Sequence, residues 1–340
     1  MISKRAIARA IAGLAQASPR PALIIFGGGA DFETPALSKP SGFVRASQNY
    51  ECDVLGGYAR VTGYERHNGR TSPSAGTTVV IDITLTGAIA VGDTVTGVTS
   101  AATGGVIVVP DSTHIVATKI VGTFVSGEVL NVAAAPQATT TSAPHGASTP
   151  LLRAQYKNLA ADEYRDDIAA PPGSGNSLGG IRFNGVTYNW RNNAGGTAAG
   201  IWKSSATGWQ AITLYNEISF TVGGAAQPAE GETLTQGGVT ATVKRVVTTS
   251  ALTAWGTTTA AGRLIITNPA GGDFAAGAAT LSGGATCTLT AIQTAITLLP
   301  GGRYELVVEN FGGAINTNRI YGCDGVNRGF EFDGDVLVPI

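Results

Sequence analysis

Val91-Gly-Asp-Thr-Val-Thr-Gly97 is echoed by Val125-Ser-Gly-Glu-Val-Leu-Asn131, and each phrase runs from an apolar residue through a turn and an acid into a short strand. The same phrase returns as Glu230-Gly-Glu-Thr-Leu-Thr-Gln236 and, in weaker form, as Ala276-Gly-Ala-Ala-Thr-Leu-Ser282. A companion feature travels with the echo, since Gly122-Thr-Phe124 precedes it in the first pair and Gly272-Asp-Phe274 in the second. The chain therefore holds two modules built on one plan, over about 90 to 132 and 226 to 292, each a pair of half-repeats. Alternating Val, Ile and Thr with turn residues every eight to twelve positions predict a small antiparallel barrel or sandwich for each.

Composition points the same way. Of 340 residues, 43% are hydrophobic and only 13% charged, against about a quarter charged in ordinary globular chains, while glycine reaches 47. Strands and turns are favoured over helices. So few charges leave strand edges with little protection against edge-to-edge pairing, which predicts faces covered by neighbouring subunits. A net charge of -1 gives no global footprint for nucleic acid. Cys52, Cys287 and Cys323 are odd in number and lack C-x-x-C spacing, so neither a disulfide framework nor a zinc site is indicated. His67, His114 and His145 are far apart with no H-x-x-x-H spacing, and no metal or other cofactor is expected.

Before the first module, Ile7, Ile11 and Leu14 share one helical face in Ile2 to Ala17, predicting a short amphipathic helix. Arg9 interrupts the apolar run that a signal peptide would need. No stretch approaches the roughly 18 apolar residues of a membrane span. Ser18-Pro-Arg-Pro21 ends the helix, Ala22 to Phe26 reads as a strand, and Gly27-Gly28-Gly29 as a turn rather than a phosphate loop, because no lysine or G-x-G-x-x-G helix start follows. Phe43 to Asn49 and Leu55 to Tyr64 read as strands. Ala133 to Pro150, rich in Ala, Thr, Ser and Pro, reads as a linker out of the first module.

Between the modules, Leu151 to Ile168 predicts a short helix stopped by Pro171-Pro172-Gly173. Strands follow at Gly180 to Gly185, Val186 to Trp190 and Gly200 to Ile212, with Asn184-Gly185 the strongest hairpin signal. Ile201 to Ile212 and Phe330 to Ile340 both read as strand, tight turn and second strand, the phrasing of propeller blades. The resulting expectation is a mainly β chain: partial propeller-like blades, two inserted barrel or sandwich modules, and short N-terminal and mid-chain helices. Its segments are 1–78 (helix plus extended contact segment), 79–150 (first module and linker), 151–222 (helix and first blade), 223–296 (second module) and 297–340 (an incomplete second blade). Two blades do not close a propeller, so either further blades follow or neighbouring subunits complete the sheet.

Gly56-Gly-Tyr-Ala-Arg60, Gly63-Tyr-Glu-Arg66, Gly69-Arg70 and Ser72-Pro-Ser74 alternate aromatic and basic residues with glycine, after Phe26-Gly-Gly-Gly29 and Asn49-Tyr50-Glu51. This string resembles structural proteins of tailed bacteriophages, as do Trp202-Lys-Ser-Ser, Gly208-Trp209, Asp324-Gly-Val-Asn-Arg328 and Phe330-Glu-Phe332. The nearest likeness is to the tail tube or nozzle component of short-tailed phages, and it covers about half of the chain. The resemblance implies a non-enzymatic virion subunit, assembled in the host bacterial cytoplasm into a homo-oligomeric ring of six. Such a ring joins the portal and adaptor to distal tail parts and lets DNA pass without specific binding. Tyr58, Arg60, Tyr64, Glu65, Arg66 and Arg70 would be the subunit or adaptor contacts. Arg60, Arg66, His67 and Arg70 are otherwise expected to pair with Glu51, Asp53 and Glu65 rather than to line a DNA channel.

Two chemical readings compete with this one. Asp162, Glu163, Asp166 and Asp167 offer paired carboxylates or a calcium site, but helical spacing spreads them over a solvated face. Trp190, Trp202 and Trp209 offer a sugar platform, which would make the chain a receptor-binding, fibre or adhesin protein holding a host glycan; core packing is the blander account. Ser204-Ser-Ala-Thr-Gly-Trp209 is similar to a turn motif of sialidase propellers, without its aspartate or spacing. No nucleophile, base and orienting group cluster at usable spacing, so no enzymatic activity is expected.

Overall fold

The computed structural model describes residues 65–340 except 225, 312 and 314–316, and before them only 29–31, 34–35, 38–40, 42–44, 50–52 and 58–60. The chain divides into two units, Met1–Glu65 and Arg66–Ile340. In the first, β1 (Gly29–Ala30) pairs in parallel with β2 (Phe43–Val44), and β3 (Tyr50–Cys52) antiparallel with β4 (Tyr58–Arg60). The helix expected over 2–17 and the strand over 22–26 lie outside the described residues.

In the second unit, β5 (Thr78–Leu85), β6 (Thr94–Gly97), β7 (Thr103–Asp111), β8 (His114–Val121), β9 (Val129–Val132) and β10 (Ala135–Thr140) form a closed barrel. Its ring order is β5-β8-β7-β6-β9-β10, with every pairing antiparallel. Alternation sends Ile81, Ile83, Val95, Val106, Ile115 and Leu130 inward, and Phe124, 2% exposed, plugs the interior from the loop before β9. The barrel begins at Thr78, one residue before the expected segment start at 79 and a dozen before the echoed phrase. One expectation is corrected: Ala135–Thr140, expected as linker, is its sixth strand. Small residues suffice there because β10 is held through its backbone between β5 and β9.

Helix α1 (Pro150–Asp166) follows. Proline stands at its first position, and Thr149 caps it by accepting the Leu152 amide at 3.2 Å. Tyr156 and Ala160 bury against Val80, Ile107 and Val116 on the outer wall of the barrel.

Next comes a four-stranded antiparallel meander, β11 (Ser174–Phe183), β12 (Val186–Asn192), β13 (Ala199–Ser205) and β14 (Gly208–Ala211). Asn184 (φ 49°) and Gly185 (φ 82°) make its first turn, the left-handed pair that a two-residue hairpin requires.

The second barrel uses β15 (Asn216–Gly223), β16 (Thr233–Gln236), β17 (Val239–Thr248), β18 (Ala260–Ile266), β19 (Gly277–Leu281) and β20 (Thr286–Leu289). Its ring order, β15-β18-β17-β16-β19-β20, matches the first barrel position for position. Phe274, 1% exposed, fills the place of Phe124. Both modules are therefore barrels, the sandwich alternative being excluded by closure through the β15–β18 and β5–β10 pairings. A short β21 (Thr294–Ala295) returns to pair with the start of β15.

The last sheet is a second meander, β22 (Glu305–Glu309), β23 (Arg319–Cys323), β24 (Phe330–Phe332) and β25 (Leu337–Pro339). The two meanders share one core. Trp190, fully buried, lies 5.6 Å from Tyr304 and 6.0 Å from Phe330 between ring centroids, while Tyr188 meets Phe332 edge-on at 5.3 Å. They touch along their first strands, where the Tyr304 amide donates to the Leu178 carbonyl at 2.9 Å. The second barrel is fastened to the second meander by Arg245, which pairs with Glu331 at 2.7 Å and with Asp333.

Candidate functional site

Residues 66–76 run along the larger unit from its start. Asn68 is 1% exposed: its amide donates to the Asp167 carbonyl at 3.1 Å, and its side-chain oxygen accepts the Arg70 amide at 3.0 Å. Its own carbonyl accepts the Ser205 amide at 3.3 Å. Gly69 (φ 94°) lies directly on the Ser205 backbone, where any side chain would collide as well as strain the turn. The Arg70 guanidinium donates to the Thr207 carbonyl at 3.0 Å. This part of the segment thus grips the β13–β14 turn of its own chain, and Pro73–Ala75 form a 3₁₀ turn next to α1.

Of the six residues singled out as contacts, Tyr58 and Arg60 stand on β4, Tyr64 lies outside the described residues, and Glu65, Arg66 and Arg70 are exposed. Glu65 closes the first unit; Arg66 and Arg70 belong to the second. His67 is exposed too.

The tryptophans do not assemble into one platform. Trp190 is core, while Trp202 and Trp209 lie on the opposite face of the first meander, both half-buried. The Trp209 indole donates to the Ala169 carbonyl at 3.0 Å. The acids of α1 are solvated, Asp162 pairing with Arg165, and just beyond the helix Asp167 pairs with Lys119 at 2.9 Å. The turn at Ser205 has a counterpart in the second meander: the Ser205 hydroxyl accepts the Thr207 amide, and Asp333 accepts the amides of Asp335 and Val336. In both, a side-chain oxygen holds the hairpin between third and fourth strands.

The sequence pattern missed one cluster. Antiparallel pairing of β5 with β8 sets Asp82 opposite His114, and a bridge between Val80 and His145 brings the second histidine alongside. His145 Nε2 stands 3.0 Å and His114 Nε2 3.5 Å from the same Asp82 oxygen, while His114 Nδ1 faces Asp111 at 2.8 Å. Ser142 donates to Asp82 at 2.6 Å. Contacts so distant in sequence leave no spacing signal. These hydrogen bonds, Ser142 first and His145 next, hold the Asp82 carboxyl below its ordinary range. Thr113 and then His114 bring Asp111 down to about 2. Asp82 and the Gly146 carbonyl raise His145.

Beside this cluster lies a pocket of about 240 Å³ lined by Val80, His114, His145, Leu152 and Tyr156. A larger one, about 380 Å³, lies where β21 meets the second meander, with Glu217, Asn327 and Arg328 on its walls. Among the described residues, no three or more His, Cys, Asp or Glu are placed to hold a metal ion. No described helix is long and apolar enough to cross a membrane.

Compared with known proteins, the chain matches no family, no curated protein and no solved structure.

Proposed function

We propose that this chain is a structural subunit of a bacteriophage tail, a nozzle or tube component that assembles into a homo-oligomeric ring between portal or adaptor and distal tail parts. The observation that carries the reading is the way the two meanders meet. Their first strands touch at Leu178 and Tyr304, and their inner faces share the core around Trp190. Neighbouring propeller blades pack in this way, and two blades do not by themselves close a circle. Apolar side chains along the second meander support assembly: Val307, Phe311 and Ile340 are 48%, 76% and 67% exposed. Six copies are what the likeness to nozzle proteins implies, with the central opening passing DNA without holding it. The ring needs no reacting group; its mechanism is interlocking β surfaces.

The test is the double substitution Arg66→Glu with Arg70→Glu, scored by negative-stain microscopy of particles from complemented infections. Folded monomer without tails supports the contact role. Normal particles overturn it.

A second reading, a fibre or adhesin that binds a host glycan, is favoured by Trp202 and Trp209 sharing one sheet face. It requires glycan-array binding that Trp202→Ala abolishes while the fold persists.

A further inference from the structure

Residues 141–149 cross the outside of the first barrel between β10 and α1. Backbone bonds hold them at two places: the Thr141 amide donates to the Asp82 carbonyl at 2.8 Å, and Val80 and His145 exchange bonds of 2.8 and 3.0 Å. Side chains add a third tie at the same level. His145 is set between two acceptors, its Nδ1 2.8 Å from the Gly146 carbonyl and its Nε2 3.0 Å from Asp82. A neutral imidazole donates from one nitrogen only, so both bonds exist together only in the imidazolium form. His114 is placed in a related way, with one ring nitrogen toward Asp111 and the other toward Asp82.

We propose that His145, His114, Asp82 and Asp111 form a proton-operated clasp that fastens residues 141–149, and the start of α1 behind them, to the first barrel. The clasp is tight when the imidazole of His145 is charged. It loosens when that charge is lost, because the neutral ring keeps only one of its two bonds, to Asp82 or to the Gly146 carbonyl, and Asp82 loses its cationic partner.

The groups that face the cluster come from each surrounding element. β5 supplies Asp82, β7 Asp111, β8 His114, and the crossing segment Ser142 and His145. From α1 the ionisable side chain at the adjoining pocket is the Tyr156 phenol. A histidine whose folded pKa lies above its ordinary 6.5 contributes fully below 6.5 and loses that contribution as pH rises through the higher folded value. The aspartates run the other way: depressed from 3.8, they contribute above 3.8 and lose this as pH falls through their folded values, about 2 for Asp111. The clasp is therefore complete between pH 3.8 and 6.5 and opens on the alkaline side.

Amide hydrogen exchange of the full chain, resolved to single residues and corrected for intrinsic rates, reads the clasp directly. Protection of the Val80 and His145 amides should be roughly three- to tenfold higher at about pH 5.5 than at about pH 8.5, the scale of one lost hydrogen bond. The Val106 amide, which bonds Asp93 inside the same barrel at 2.8 Å, should not change. His145→Gln and Asp82→Asn should each remove the pH dependence. Equal protection at both pH values in the wild-type chain overturns the proposal, as does a pH dependence that survives in both variants. Should a variant not fold, the wild-type comparison decides alone.

Discussion

Gly97, at the end of β6, lies directly against the carboxylate of Glu128 in the other half of the barrel. Glu128 is 2% exposed and accepts the amides of Val125 at 2.7 Å and Ser100 at 3.0 Å. In the second barrel the relationship recurs with the halves exchanged, Gly283 lying against Glu232. The acid of the repeated phrase thus ties the two half-repeats together at their turns. Gly97→Ala should push the carboxylate off its amides and cost about 1–3 kcal/mol, read from urea unfolding. An unchanged midpoint would show that the carboxylate can move aside.

Glu128 also sets a pH limit. Burial pushes its carboxyl up, but the amides of Val125 and Ser100 outweigh this and leave it below its ordinary 4.5. Its contribution is present above pH 4.5 and is lost as pH falls through the lower folded value. Acid unfolding of Glu128→Gln should show a shallower loss of stability below that pH than the parent chain.

Phe124 and Phe274 plug different cores, so each should act on its own barrel. Phe124→Ala and Phe274→Ala should each cost about 3–5 kcal/mol, and exchange protection should fall in β5–β10 for the first and in β15–β20 for the second. Loss of protection across both barrels from either change would mean that they unfold as one body.

Arg245 is 13% exposed, and its pairs with Glu331 and Asp333 join the second barrel to the second meander. Arg245→Ala leaves those carboxylates facing each other with Arg319, 3.4 Å from Glu331, as a remaining cation. Because the acids are partly solvated, the cost should be about 2 kcal/mol, less than for a fully buried pair. Differential scanning calorimetry checks it; a stability within 0.5 kcal/mol of the parent, roughly the noise of a surface change, would place the junction's strength in its apolar contacts.

Cys287 is buried, and desolvation raises its thiol to about 11, whereas Cys323 is exposed. Iodoacetamide at about pH 8, mapped by peptide mass, should label Cys323 and spare Cys287 in the folded chain. Equal labelling would mean that the second barrel opens readily.

The sequence disclosed the duplicated modules because a glycine recurs at each turn, with an acid beside it in three of the four, and it disclosed Asn184-Gly185 because both residues adopt a left-handed turn. It did not disclose closure. Whether six strands make a barrel or a sandwich rests on β5 with β10 and β15 with β18, pairings between residues far apart in the chain. Ala135–Thr140 went unseen as a strand because its place is fixed by backbone bonds and not by bulky side chains. Arg66 and Arg70 stood out by composition, but the grip of Asn68 and Gly69 on Ser205 depends on a turn more than 130 residues away in number, which no local pattern encodes.

The second barrel leaves the sheet system where it joined it: Asn216 is the direct partner of Ala295, and Glu217 of Thr294. A loop whose ends already meet adds little entropic penalty however long it grows. The module is therefore an insertion whose two ends meet, anchored to its host sheets by Ile265 in their shared core and by Arg245.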